Sequence, residues 1–83
     1  MREVIYSAAA AKVLHRMPTT DEHRIRAKVE QYANDPASLG NNVKALKGSP
    51  FIRLRVGDWR VVMDDRQRVL SVLKVGPRGG VYD

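Results

Sequence analysis

Three arginines in this chain are spaced to share one surface. They lie within Phe51-Ile52-Arg53-Leu54-Arg55-Val56-Gly57-Asp58-Trp59-Arg60-Val61-Val62-Met63. Two β-prone runs flank Gly57-Asp58. A Gly-X pair there suits a two-residue type II′ turn, because glycine accepts the positive φ of the first turn position. Such a turn pairs Val56 with Trp59 and Arg55 with Arg60. Side chains alternate across a strand. Ile52, Leu54, Val56, Trp59, Val61 and Met63 then form an apolar face, and Arg53, Arg55 and Arg60 stand on the other face with Phe51. Guanidinium groups bind phosphate through paired hydrogen bonds and suit an RNA backbone. Arginine and lysine on exposed strands also guard against aggregation. Three arginines repel one another, however, and an anion relieves that repulsion.

Other residues extend the same chemistry. Arg78 follows the last long strand and can reach the arginine face. Lys44 and Lys47 precede the hairpin. Tyr82 can stack on a base or exchange a proton; equally, it can be a half-buried tyrosine that closes the sheet. His15 and His23 lie on separate helices, with no second ligand at metal-site spacing. Asp64-Asp65 reads as a polar turn between strands. Gly76-Pro77-Arg78-Gly79-Gly80 matches neither a Walker loop nor a dinucleotide fingerprint. The chain has no cysteine, which removes disulfides, Cys-zinc sites and a thiol nucleophile. No metal and no cofactor is expected, and catalysis would lean on Arg, Lys and Tyr.

The elements that must carry these residues can be read in order. Glu3 to Ser7 is a short strand candidate. Ala8 to Met17 is helical, with Ala10, Val13, Leu14 and Met17 on one face, Ser7 as its cap and Pro18 as its stop. Thr19-Thr20-Asp21-Glu22 reads as a capping box, with Thr19 as N-cap. A second helix follows, with Ile25, Val29, Tyr32 and Ala33 as its stripe, ending near Asn34-Asp35-Pro36. Residues 36–50 read as a long connection. After the hairpin and a polar turn over 64–68, Val69 to Val75 is apolar on both faces, as an interior strand is. The order predicts one α+β domain over residues 1–83, a small antiparallel-rich sheet with a helical hairpin on one face (β-α-α-β-β-β). The arginine face is expected to stay open to solvent.

Composition bounds the partners. The 83 residues carry 15 Lys and Arg against 9 Asp and Glu, a net charge of +6. RNA, DNA, an acidic protein or a membrane surface would each match this balance. No apolar run approaches a membrane span and no signal peptide is evident, so a soluble, cytoplasmic protein is expected.

Leu46-Lys47-Gly48, Arg53 to Val62, Val72-Leu73-Lys74-Val75-Gly76-Pro77-Arg78 and Val81-Tyr82 together resemble the RelE/ParE superfamily of bacterial toxin–antitoxin toxins. That superfamily contains a RelE-like branch that cleaves mRNA in the ribosomal A site and a ParE-like branch that poisons DNA gyrase. The resemblance implies catalytic roles for Arg60, Arg78 and Tyr82, and RNA binding by Arg53 and Arg55, with Lys44 and Lys47 beside them. It implies a metal-independent attack by a ribose 2′-OH on the adjacent phosphorus. It also implies an antitoxin partner from a neighbouring gene in a hetero-oligomer, with the ribosome and mRNA as targets. Many relatives carry Gly-His-Arg where this chain has Gly76-Pro77-Arg78, so no histidine acid or base is implied here. A gyrase inhibitor of the same fold, or a non-catalytic basic binding module, is the alternative reading.

Overall fold

Ser7 sets the junction on which the fold turns. In the computed structural model, which describes residues 2–79, strand β1 (Val4–Tyr6) runs directly into helix α1 (Ala8–Arg16). The Ser7 hydroxyl accepts from the Ala10 N–H at 3.0 Å, satisfying a donor that a helix start leaves unpaired. The same hydroxyl donates to the Leu73 carbonyl at 2.7 Å, tying the junction to the sheet.

Helix α2 (Thr19–Asn34) begins differently from expectation. Thr19 is already helical, Pro18 holds the N-cap position, and no side chain caps the start. The Pro18 carbonyl instead accepts from the Asp21 and Glu22 N–H groups, both at 3.0 Å. Glu22 is drawn forward rather than back, because Arg26 stands one turn along and pairs with it at 3.0 Å. Arg26 also lies 4.8 Å over the Tyr6 ring, which ties α2 to β1. The helix ends before Asp35, whose extended backbone suits a residue preceding proline.

The long connection is more ordered than its composition suggests. Pro36–Leu39 forms a 3₁₀ turn that buries Leu39. Strand β2 (Val43–Ala45) then pairs antiparallel with β3 (Ile52–Val56). With β4 (Trp59–Asp64) and β5 (Leu70–Pro77), the described residues form a sheet of five strands in the order β1-β5-β4-β3-β2, one more than the sequence pattern gave. Among the described strands, only β1 and β5 pair in parallel. The expected hairpin register holds, with Val56 opposite Trp59 and Arg55 opposite Arg60. Gly57 has φ 58°, and no described non-glycine residue has positive φ, as a type II′ turn requires. A methyl at Gly57 would meet only Arg24 Nη1 at 3.6 Å, so its cost is backbone conformation alone. Gly57→Ala should lose about 1–2 kcal/mol in urea unfolding.

Both helices cover one face of the sheet. Leu14, Ile25 and Val29 meet Leu54, Val61, Met63, Leu70 and Val72, all fully buried. Tyr32 closes the edge of this core. Its hydroxyl donates to Asp65 at 2.7 Å, and Arg2 donates to the Asp65 carbonyl at 2.8 Å. Burial, and then the Asp65 hydrogen bond, push the Tyr32 hydroxyl from 10.0 up to about 12. The folded chain thus holds this proton more tightly than the unfolded chain. The resulting stability is complete below pH 10 and is lost as pH rises through about 12. The alkaline loss should be larger for the wild type than for Tyr32→Phe, comparing urea midpoints at about pH 9 and about pH 11.5. No described helix is long and apolar enough to cross a membrane.

Candidate nucleic-acid interface

The sheet face away from the helices carries the basic residues in register. Lys44 on β2 lies opposite Arg53 on β3. Arg53 lies opposite Val62 on β4, and Val62 opposite Lys74 on β5. One step along, Arg55 faces Arg60, and Arg60 faces Gly76. Asn41, Asn42, Lys44, Arg53, Arg55 and Arg60 line a concavity of about 200 Å³. Asn42 builds its wall: its carbonyl accepts from the Arg55 N–H at 2.8 Å, and its amide reaches the Arg55 carbonyl at 3.4 Å. Four of the six lining residues are cationic, so the concavity suits a phosphate group.

Arg60 departs from the expected open face. It is only 9% exposed, and its neighbour on the same face, Val62, is 1% exposed. Alternation along a strand gives the side on which a residue lies, not its depth. β4 is the middle strand, flanked by two strands on each side, so neighbouring side chains shield its outer face. Arg60 turns back on its own hairpin, where Nη1 donates to the Gly57 carbonyl at 3.0 Å and the Trp59 carbonyl at 2.9 Å. The facing Gly76 has no side chain to compete for this space. A guanidinium carries five N–H donors. Arg60 is therefore fixed from behind through Nη1 and keeps other donors for an anion at the concavity. Donors held in place before charge develops stabilise that charge best.

The remaining expected site residues fall in different places. Arg53 is half-buried, and Arg55 and Lys44 are exposed in the concavity. Lys47 lies beyond β2 on an exposed turn and does not line it. Arg78 is exposed, and its N–H donates to the Asp58 carbonyl at 2.7 Å, bringing the end of β5 against the hairpin turn. That places Arg78 at the Arg60 end of the sheet but outside the lining of the concavity. Tyr82 lies outside the described residues. His15 and His23 are exposed on their helices, and among the described residues no three His, Cys, Asp or Glu side chains gather at metal-binding distances. Asn41 and Asn42 join the site without having been singled out. Their only sequence signal is an Asn pair just before a short β-branched start at Val43.

Known proteins share this arrangement of elements. A chain of the archaeal RelE–RelB complex from Pyrococcus horikoshii OT3 is 24% identical, over 96% of this chain and 98% of that one, with a TM-score of 0.77. A chain of the intact E. coli RelBE toxin–antitoxin complex is 23% identical, over 93% and 96%, with a TM-score of 0.71. YafQ from E. coli strain BL21(DE3) is 16% identical, over 100% of both chains, with a TM-score of 0.79. At these identities the likeness carries the fold. No curated protein matches the sequence. The family model for the ParE toxin of the type II toxin–antitoxin system parDE matches residues 4–82. The chain belongs to this ParE toxin family, within the RelE/ParE superfamily, and is a type II toxin–antitoxin toxin of the RelE/ParE fold.

Proposed function

We propose that this toxin is a ribosome-dependent endonuclease that cuts translated mRNA in the ribosomal A site. The observation that carries the reading is the pinned Arg60 guanidinium beside Lys44, Arg53 and Arg55 in one concavity. In this reading Arg53, Arg55 and Lys44 hold the RNA backbone, with Lys47 as an outlying contact. The ribose 2′-OH attacks the adjacent phosphorus and the bond to the 5′ oxygen breaks. The products are a 2′,3′-cyclic phosphate and a 5′-OH. Arg60 stabilises the charge on the phosphorane, and Arg78 steadies the phosphate from the hairpin side. Tyr82 takes the 2′-OH proton, and the leaving 5′ oxygen gains one from solvent. A phenol is a weak base near neutrality unless cations lower its pKa, and Arg60 and Arg78 would supply them. No metal enters this scheme. Its site is the cytoplasm, where translated mRNA lies, and its partner is a cognate antitoxin whose acidic or amphipathic segment covers the basic face.

The test is expression of the toxin followed by mapping of mRNA ends. New ends should fall inside translated codons, and untranslated RNA should stay whole. The family match favours a second reading, a gyrase poison of the same fold. That reading predicts trapped gyrase–DNA breaks with translated mRNA intact, and such a result would sink the nuclease.

A further inference from the structure

We propose that Phe51 and Arg66 form a base-stacking platform at one end of the basic concavity, for single-stranded RNA whose phosphates occupy it. The proposal rests on the RNA reading above and adds residues that reading does not use.

Phe51 immediately precedes β3. Strand alternation puts it on the outer face with Arg53 and Arg55, about 7 Å beyond Arg53 along the strand. Ile52 packs against the core, whereas Phe51 is half-buried and takes no part in it. From the β4–β5 turn, the Arg66 guanidinium lies 5.6 Å from the centre of the Phe51 ring. Asp64 holds that guanidinium in a fixed plane, accepting from Nε at 3.0 Å and Nη2 at 2.9 Å. A third bond, from the Arg66 N–H at 3.1 Å, locks the turn around it. These Arg66 hydrogen bonds hold the Asp64 carboxyl down at about 2, so the pair persists at neutral pH. Even so placed, the Arg66 side chain is 53% exposed. The result is an aromatic ring and an accessible, oriented guanidinium plane on the same sheet face as the phosphate-binding residues.

Single-stranded RNA is recognised by this pairing of features. A basic groove follows the backbone, and unstacked bases lie on aromatic rings or on arginine planes. A role limited to bracing the β4–β5 turn would make no distinction between RNA with and without a base at one position.

The experiment measures binding of the purified full chain to short 2′-O-methyl oligoribonucleotides, which resist cleavage. The strands are either intact or abasic at one scanned position. Phe51→Leu should weaken binding to the intact strand about tenfold, within the range of one lost base stack. Phe51→Tyr should keep wild-type affinity. On the strand abasic at the stacked position, wild type and Phe51→Leu should bind alike. Arg53→Ala should weaken every strand equally and flatten the salt dependence. Equal affinity of Phe51→Leu and wild type for intact RNA overturns the platform. If Arg53→Ala still weakens binding in that case, the phosphate-binding reading stands. The platform is also overturned if Phe51→Leu loses the same factor on intact and abasic strands, or weakens antitoxin binding alone. Absence of any RNA binding by the wild type overturns it too, while cleavage on the ribosome is judged separately by mRNA end mapping.

Discussion

Arg60→Ala should lower codon-internal mRNA cleavage by about 10²–10³-fold and relieve toxicity in expressing cells. That is the scale of removing one preorganised donor from developing charge in a transition state. The side chain is nearly buried and pinned by two carbonyls of its own hairpin, so it reorganises little when substrate binds. Truncation leaves the Gly57 and Trp59 carbonyls without this donor, a loss of about 1–2 kcal/mol, and the chain should stay folded by circular dichroism. Arg60→Lys keeps the charge but not the planar fork. A lysine ammonium cannot hold the same carbonyls and present a second edge to phosphate. Its cleavage should fall between the two, about 10–10²-fold below wild type. Undiminished cleavage by Arg60→Ala would remove the concavity from the chemistry. Tyr82→Phe belongs beside it: full toxicity in that variant retires the tyrosine as the proton acceptor and leaves the arginines in place.

The outline of this site was legible because strand geometry is rigid. Two glycine-led turn residues between β-prone runs fixed the pairing of Arg55 with Arg60, and the structure has that pairing. Ser7 was legible as a cap because its oxygen acts three residues away. What could not be read were quantities that depend on neighbours far along the chain. The depth of Arg60 is set by the central place of β4 in the strand order, which local spacing does not give. Strand β2 was invisible because its three residues, Val43–Ala45, gain strand character only by pairing with β3. Asn41 and Asn42 entered the site through that same pairing. Thr19 failed as a cap because the helix starts one residue earlier than the pattern suggests, with Pro18 at the N-cap and its carbonyl accepting from the Asp21 and Glu22 N–H groups. Alternation placed Phe51 on the arginine face, but gave it no partner there. Only the Asp64–Arg66 bridge across the next turn gives its ring a partner.

Leu54→Ala should cost about 3–4 kcal/mol, the usual loss for a fully buried leucine in a close-packed core. Leu54 is fully buried on β3, paired between Val43 and Val61, and it belongs to the cluster that α2 supplies with Ile25 and Val29. At about 0.05–0.15 kcal/mol per residue, a chain of this length holds roughly 4–12 kcal/mol in all. The variant's urea midpoint should therefore fall by about a quarter or more, and its level in cells should drop. A partner that binds only the folded toxin opposes this, adding about 2.7 kcal/mol at a concentration one hundred times its dissociation constant. Co-expression with the antitoxin should then restore the amount of Leu54→Ala protein nearly to wild type. The comparison with Arg60→Ala separates two ways of losing toxicity. If the toxin is the nuclease proposed above, Leu54→Ala should shrink the folded population while cleavage per folded molecule persists, because the basic face is untouched. In Arg60→Ala the population should hold and the rate per molecule should collapse. A Leu54→Ala toxin that stays abundant without antitoxin, yet cleaves nothing, would mean that the apolar face and the arginine face are coupled through β3 itself.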